Sequence, residues 1–140
     1  MIVDTGALFA IYNTRDRHHK GAASVLRQAL KDRERLWVPS PVLAELHWLA
    51  RRLQRREEFI ARVLGDIADG AWDLVDLSPA DARRIGVLLM QYQDARLDFV
   101  DAACIALAER LGETTIATVD RRDFSIVRPA HVPALRLLPD

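Results

Sequence analysis

The chain predicts an α/β protein: a twisted parallel sheet flanked by helices on both faces. Three observations carry that expectation. Short β-rich runs alternate with stretches of helical periodicity along the whole chain. The helical stretches carry start and stop signals of their own. Finally, 140 residues, half of them apolar and without repeats or a visible linker, suit one domain over residues 1–140 with one core.

Each element follows in order. "MIVD" reads as a short apolar strand ending in an acid. "HHKGAASVLRQALKD" places Ala22, Val25, Leu26, Ala29 and Leu30 at helical spacing. "RLWVP" is a second strand. Ser40 and Pro41 then read as N-cap and first turn of "PVLAELHWLARRL", a helix burying Val42, Leu46, Leu49 and Leu53. "EEFIARVLGDIADG" is amphipathic, and a strand is expected near "WDLVDL". Ser78, Pro79 and Asp81 open "SPADARRIGVLLMQY" with a capping-box pattern. "LDFVDAACIALAERLG" carries a buried stripe of Cys104, Ile105, Ala108 and Leu111, and Gly112 suits a left-handed C-cap. "TTIATVD" is β-rich, and "PALRLLP" is a last apolar stretch.

Composition narrows the function classes. Charged residues make up 29%, and 20 acidic residues balance 20 basic ones, so a nucleic-acid partner needs a local basic patch. The single cysteine, Cys104, excludes an internal disulfide and reads as a small core residue. No signal peptide or membrane span is visible, and a soluble, cytoplasmic protein without membrane association is expected. Six scattered glycines form no phosphate-cradling loop, which disfavours nucleotide-dependent transferases.

The acids are the informative residues. In an open parallel sheet, ligands bind at the carboxyl ends of the strands. Asp4 is expected to end the first strand and Asp120 the strand "TIATVD". Glu45 is one turn into its helix, about 60° from the apolar stripe. Asp101 is in the first turn of the late helix, and Asp98 lies three residues before it on the same side. Taken singly, each has a plain role: a strand-ending acid forms turns, a first-turn Asp caps or meets the helix dipole, and Glu45 faces water. Taken together, Asp4, Glu45, Asp101 and Asp120 point to one sheet edge. Carboxylates that converge must be protonated, paired or bound to a cation. Oxygen ligands without Cys or His suit Mg2+ or Mn2+ rather than zinc. A hydrated ion held by carboxylates activates water against a phosphodiester, with one or two ions possible.

"IVDTGALFAIYNTRDRHH", "PSPVLAEL", "LDFVDAACIALAERLG" and "IATVDRRDF" occur in an order and spacing that resemble the PIN-domain ribonucleases, most nearly the VapC-like toxins of toxin–antitoxin pairs. The resemblance runs from Ile2 to about Phe124 and implies a PIN-like sheet, an acidic Mg2+ or Mn2+ site and endonucleolytic cleavage of RNA. On it, Asp4, Glu45, Asp101 and Asp120 match the four catalytic acids, and Thr118 the supporting hydroxyl. Asp98 is an extra acid that either ligates an ion or caps its helix, and Asp123 lies near the site outside the minimal set. The resemblance further implies a homodimer, a cognate antitoxin filling the cleft, and products with a 5′-phosphate and a 3′-hydroxyl.

Arg121 and Arg122, next to Asp120, are candidate RNA-phosphate contacts, whereas "RRLQRR" reads first as a solvated helix face. His18 and His19 read as solvated loop residues rather than a metal pair. Trp37, Trp48 and Trp72 read as core or interface packing, with base stacking the alternative. Two rival functions stand: a PIN-like module that binds RNA or protein without cutting, and a phosphatase or phosphotransferase using Asp4 as nucleophile. The second needs a lysine near the phosphate, and the only lysines are Lys20 and Lys31.

Overall fold

The computed structural model describes residues 1–140. In chain order the elements are β1 (Ile2–Val3), α1 (Thr5–Tyr12), α2 (His19–Lys31), β2 (Trp37–Pro39), α3 (Ser40–Leu49), α4 (Arg56–Ala68), β3 (Asp73–Val75), α5 (Pro79–Gln91), α6 (Phe99–Leu111), β4 (Thr115–Ala117), α7 (Arg122–Ile126) and β5 (Arg136–Leu138). The five strands form one parallel sheet in the order β3-β2-β1-β4-β5. Strands one residue pair apart in register, Ile2 with Ile116 and Val3 with Ala117, seat β4 directly beside β1. The chain therefore grows away from β1 on one side, then returns to its other side. That reversal leaves a crevice at the carboxyl ends of β1 and β4, where open α/β sheets take ligands.

Ile2, Val38 and Ile116 are fully buried in the sheet, as parallel strands covered on both faces must be. Leu8 of α1, Leu46 of α3 and Ile105 of α6 close the core over them. Cys104 lies inside this core, and burial pushes its thiol well above the usual range. The expected capping box is present: Ser78 Oγ accepts from Asp81 N, and Asp81 Oδ2 accepts from Ser78 N at 2.7 Å. Gly112 takes the left-handed conformation at φ 69°. No helix is long and apolar enough to cross a membrane.

The structure departs from the sequence reading at five places. Two helices carry no periodic signal: α1 is apolar nearly all round because it is buried, and α7 has only five residues. Ser40 does not cap α3. Pro39 holds the cap position, Ser40 is already helical, and its side chain makes no capping bond. Leu30, expected on the buried stripe of α2, is 57% exposed, because the helix meets the core mainly through Ala22 and Ala29. β4 ends at Ala117, so Asp120 belongs to the turn leading into α7 rather than to the strand. Trp48, read as core or interface packing, is not in the core: it stands 59% exposed on α3, while Trp72 is buried and Trp37 half-buried.

Candidate active site

The crevice at the carboxyl ends of β1 and β4 is a cleft of about 290 Å³. Asp4, Glu45, Asp98, Asp101, Asp120 and Asp123 line it together with Thr5, Gly6, Trp48 and Leu49, and no basic side chain does. All five acids expected at the site reach one cleft, and Asp123 joins them.

Asp4 is the most firmly held. It follows β1 directly, and its backbone N–H donates to Ala117 O of β4 at 2.9 Å. Its Oδ1 accepts the Thr5 N–H at 2.7 Å, which makes it the N-cap of α1. Its Oδ2 accepts from the Thr118 hydroxyl at 2.9 Å. Burial pushes the carboxyl up to about 6. The bonds from Thr118 and Thr5 oppose that rise, and the charge of Glu45 adds to it.

Thr118 couples the two strand ends. Its hydroxyl accepts from Asp120 N at 3.1 Å, and its one hydrogen has two acceptors, Asp4 Oδ2 and, at 2.8 Å, Asp120 O. A side chain confined to hydroxyl size is what this contact requires. Gly6 meets a similar limit, since a Cβ there would stand 2.6 Å from Val119 Cγ2. Only glycine lets the first turn of α1 lie against the loop after β4.

α6 brings the next two acids. Asp98 is its N-cap, accepting the Val100 N–H at 2.8 Å, and it is exposed rather than buried. Asp101, one turn in, is partly buried. Its carboxyl is pushed far up, first by burial and then by the charge of Asp4, with Asp123 and Asp98 adding to the effect. Proton retention is thus the metal-free answer to a carboxylate on a buried face. The helix N-termini of α1 and α6 both open on the cleft and offset part of its negative charge.

Asp123 is the residue that motif reading undervalued. It is buried in the first turn of α7, and its Oδ2 accepts from Asp98 N at 3.3 Å. Its Oδ1 is buried with no hydrogen-bond partner, and Arg122 Nε, 3.8 Å away, is beyond bonding distance. The only sequence signal is its spacing, three residues after Asp120 at the start of a helix. The Thr5 hydroxyl, also on the cleft wall, is likewise buried without a partner.

The remaining candidates are placed as follows. Asp120 is exposed, with its Oδ1 accepting the Arg122 N–H at 3.1 Å. Arg121 donates to Pro139 O at 2.8 Å and Arg122 to Ala95 O at 2.9 Å, so both guanidiniums are held on backbone at the flank of the cleft. His18 accepts from Arg17 and His19 Nδ1 lies 2.8 Å from Ala10 O, which leaves no histidine pair at the acids. Lys20 and Lys31 lie on α2, outside the cleft, so the phosphotransferase reading lacks its lysine.

The donor set fits a divalent cation. Six carboxylates, two with raised pKa, share the cleft with the unpartnered Thr5 hydroxyl, and the Arg122 guanidinium comes no nearer than 3.8 Å to Asp123. All are hard oxygens, the ligands of Mg2+ and Mn2+. No three of them close to a finished cage, so an ion here would keep several waters, as Mg2+ does.

A PIN domain model matches residues 1–128. The ribonuclease VapC26 of Mycobacterium tuberculosis is 34% identical over 139 residues, covering 99% of this chain and all of that one. Among solved structures, M. tuberculosis VapC20, described as a sarcin-ricin loop cleaving toxin, superposes with a TM-score of 0.76 at 18% identity, over 94% of this chain and 97% of that one. VapBC2 from Rickettsia felis, solved on a DNA fragment from its promoter, gives 0.68 at 18% identity, over 97% and 95%. At such identities the structures speak for the fold, while the family model and the sequence relative speak for descent. The chain belongs to the PIN-domain family, among the relatives of the VapC ribonucleases.

Proposed function

We propose that this protein is an endoribonuclease dependent on Mg2+ or Mn2+, the toxin of a toxin–antitoxin pair. One observation carries the reading: six carboxylates and no cation line a single cleft, with Asp123 Oδ1 buried and accepting no hydrogen bond. The ribonuclease name of the 34% identical relative supports RNA as substrate. The VapBC assemblies among the fold's neighbours support a small antitoxin partner. A homodimer and a cytoplasmic location belong to the same reading.

Asp4, Asp101 and Asp120 would hold the ion, with Asp98 and Asp123 at its margin. A bound ion supplies an activated water and neutralises charge that builds on the phosphate. The chain's own residues do the rest. Thr118 and the Thr5 N–H fix the Asp4 carboxylate in one orientation, so its ligating geometry exists before substrate arrives. Asp101 surrenders its proton when positive charge enters the cleft. Glu45, also on the cleft wall, would accept the proton of the attacking water at its carboxylate. The water oxygen bonds to phosphorus in line as the P–O3′ bond breaks, and the departing 3′ oxygen takes up a proton.

The test is cleavage of a labelled single-stranded RNA by metal-free protein before and after addition of Mg2+ or Mn2+. Cleavage should require the ion and vanish with EDTA. Cutting that persists unchanged in EDTA ends the metal mechanism, and RNA binding without cutting under every metal favours a binding module.

A further inference from the structure

The acidic cleft ends, on the α3 side, at Trp48, which is 59% exposed and lies outside the core. Trp48 lines the cleft beside Leu49, and the Arg51 guanidinium lies 3.5 Å from its ring centroid. Arg51 Nη1 also donates to Trp48 O at 3.3 Å, so the pair is assembled within one turn. An indole stacked with a guanidinium combines an aromatic face with positive charge, the surface on which bases of single strands stack.

Beyond Leu49, the single 3₁₀ turn Ala50–Arg52 continues the chain. At about 2 Å per residue it puts Arg52 roughly 6 Å further on. There Arg52 enters the wall of a second cleft, which Arg15, Arg55 and Arg62 share with one acid, Glu58. Arg55 holds Glu58, and Arg15, Arg52 and Arg62 have no carboxylate partner. Two basic clusters far apart in sequence, "RDRHHK" and "RRLQRR", thus meet in one place. One short turn of chain thus separates the wall of the first cleft from that of the second.

We infer that single-stranded RNA leaves the acidic cleft across the Trp48–Arg51 pair, stacks a base there, and lays its next phosphates among Arg15, Arg52 and Arg62. Trp48 and Arg51 position the strand, and the arginines anchor it. An acidic protein segment would satisfy the arginines but brings no base to stack on the indole. The inference rests on the nuclease reading, and a binding assay separates the two.

The assay measures binding of a labelled single-stranded RNA of about ten nucleotides, within the span of single-strand grooves. Full-length protein is used in EDTA at several salt concentrations, with cleavage kinetics in Mg2+ alongside. Trp48→Ala should weaken binding about tenfold for any base sequence. It should raise KM with little change in kcat, and Trp48→Phe should restore most of the loss. The double variant Arg15→Gln/Arg52→Gln should lower the slope of log Kd on log salt by about 1.4, about 0.7 per lost phosphate contact. Variants that bind with the parent's affinity and salt slope overturn the path while the nuclease stands. So does a Trp48→Ala that changes the oligomeric state at unchanged RNA affinity, which makes this face a protein interface. A parent that neither binds nor cuts RNA removes the nuclease reading and this path with it.

Discussion

Replacing Asp4 by Asn should make the metal-free protein more stable, although Asp4 makes more bonds than any other acid in the cleft. The Asn Oδ1 still accepts the Thr5 N–H, and its Nδ2 donates to Thr118 Oγ1, leaving the Thr118 hydrogen for Asp120 O. No bond is lost, and one contested hydrogen is freed. What disappears is a carboxyl raised from 3.8 to about 6. Two pK units correspond to about 3 kcal/mol. Loss of a charge at the N-terminus of α1 returns about 0.5–1 kcal/mol, for a net gain of about 2. With about 2.1 cal/mol/K of unfolding entropy per residue over 140 residues, the gain in Tm is about 7 °C. The pH dependence is the sharper signature. Because the folded protein holds this proton more tightly than the unfolded chain, the parent keeps its full stability below about pH 4 and loses it as pH rises through about 6. The variant cannot titrate there, so the two melt together near pH 4 and diverge by pH 8. Thermal melts in EDTA across that range decide the matter. Curves that stay parallel, or a variant melting below the parent at pH 8, refute the claim that uncompensated charge is what the cleft carries.

Mg2+ should raise the parent's Tm increasingly from pH 5 to pH 9, since the ion competes with protons on Asp4 and Asp101, and should leave the Asp4→Asn variant nearly unmoved; calorimetry at fixed Mg2+ reads both. Asp101→Asn should abolish cleavage without lowering the metal-free Tm. Asp98→Asn, a cap as good as the original, should only slow the reaction or raise its Mg2+ requirement in single-turnover assays. Asp123→Asn should weaken Mg2+ binding at least tenfold by titration calorimetry, because an orphaned oxygen is there to be filled. Gly6→Ala should cost about 1–3 kcal/mol in denaturant unfolding and slow cleavage, as Val119 is pushed from the loop that carries Asp120.

The fold was legible wherever periodicity and punctuation agreed. Ser78 and Asp81 announced α5, and Gly112 closed α6, because caps are local chemistry. α1 left no trace, since a helix buried on nearly every side has no polar face to set a period. Leu30 misled for the complementary reason: α2 meets the core through alanines, and its larger side chains are left outside or half outside. At the site, the order of the acids showed which would meet, because the carboxyl ends of strands share an edge whatever the details. Their burial was not legible. Asp98 and Asp101 share a side of one helix, yet one is exposed and the other pressed against Asp123, a difference made by where α7 happens to pack. The exposure of Trp48 was not legible either, because a helix pattern does not say where its neighbours stop.

The bond between Thr118 and Asp4 spans 114 residues of chain. A growing polypeptide carries Asp4 long before the partner that orients it, which arrives only when β4 is made and slots in beside β1. Until then the central strand has one open side, and the cleft has neither floor nor far wall. Pairing across such a distance comes late in folding, after a long loop has closed. Emerging chains, and fragments from interrupted translation, therefore hold no finished site. Whatever chemistry the cleft performs is in this way withheld until both strands that build it have been made and paired.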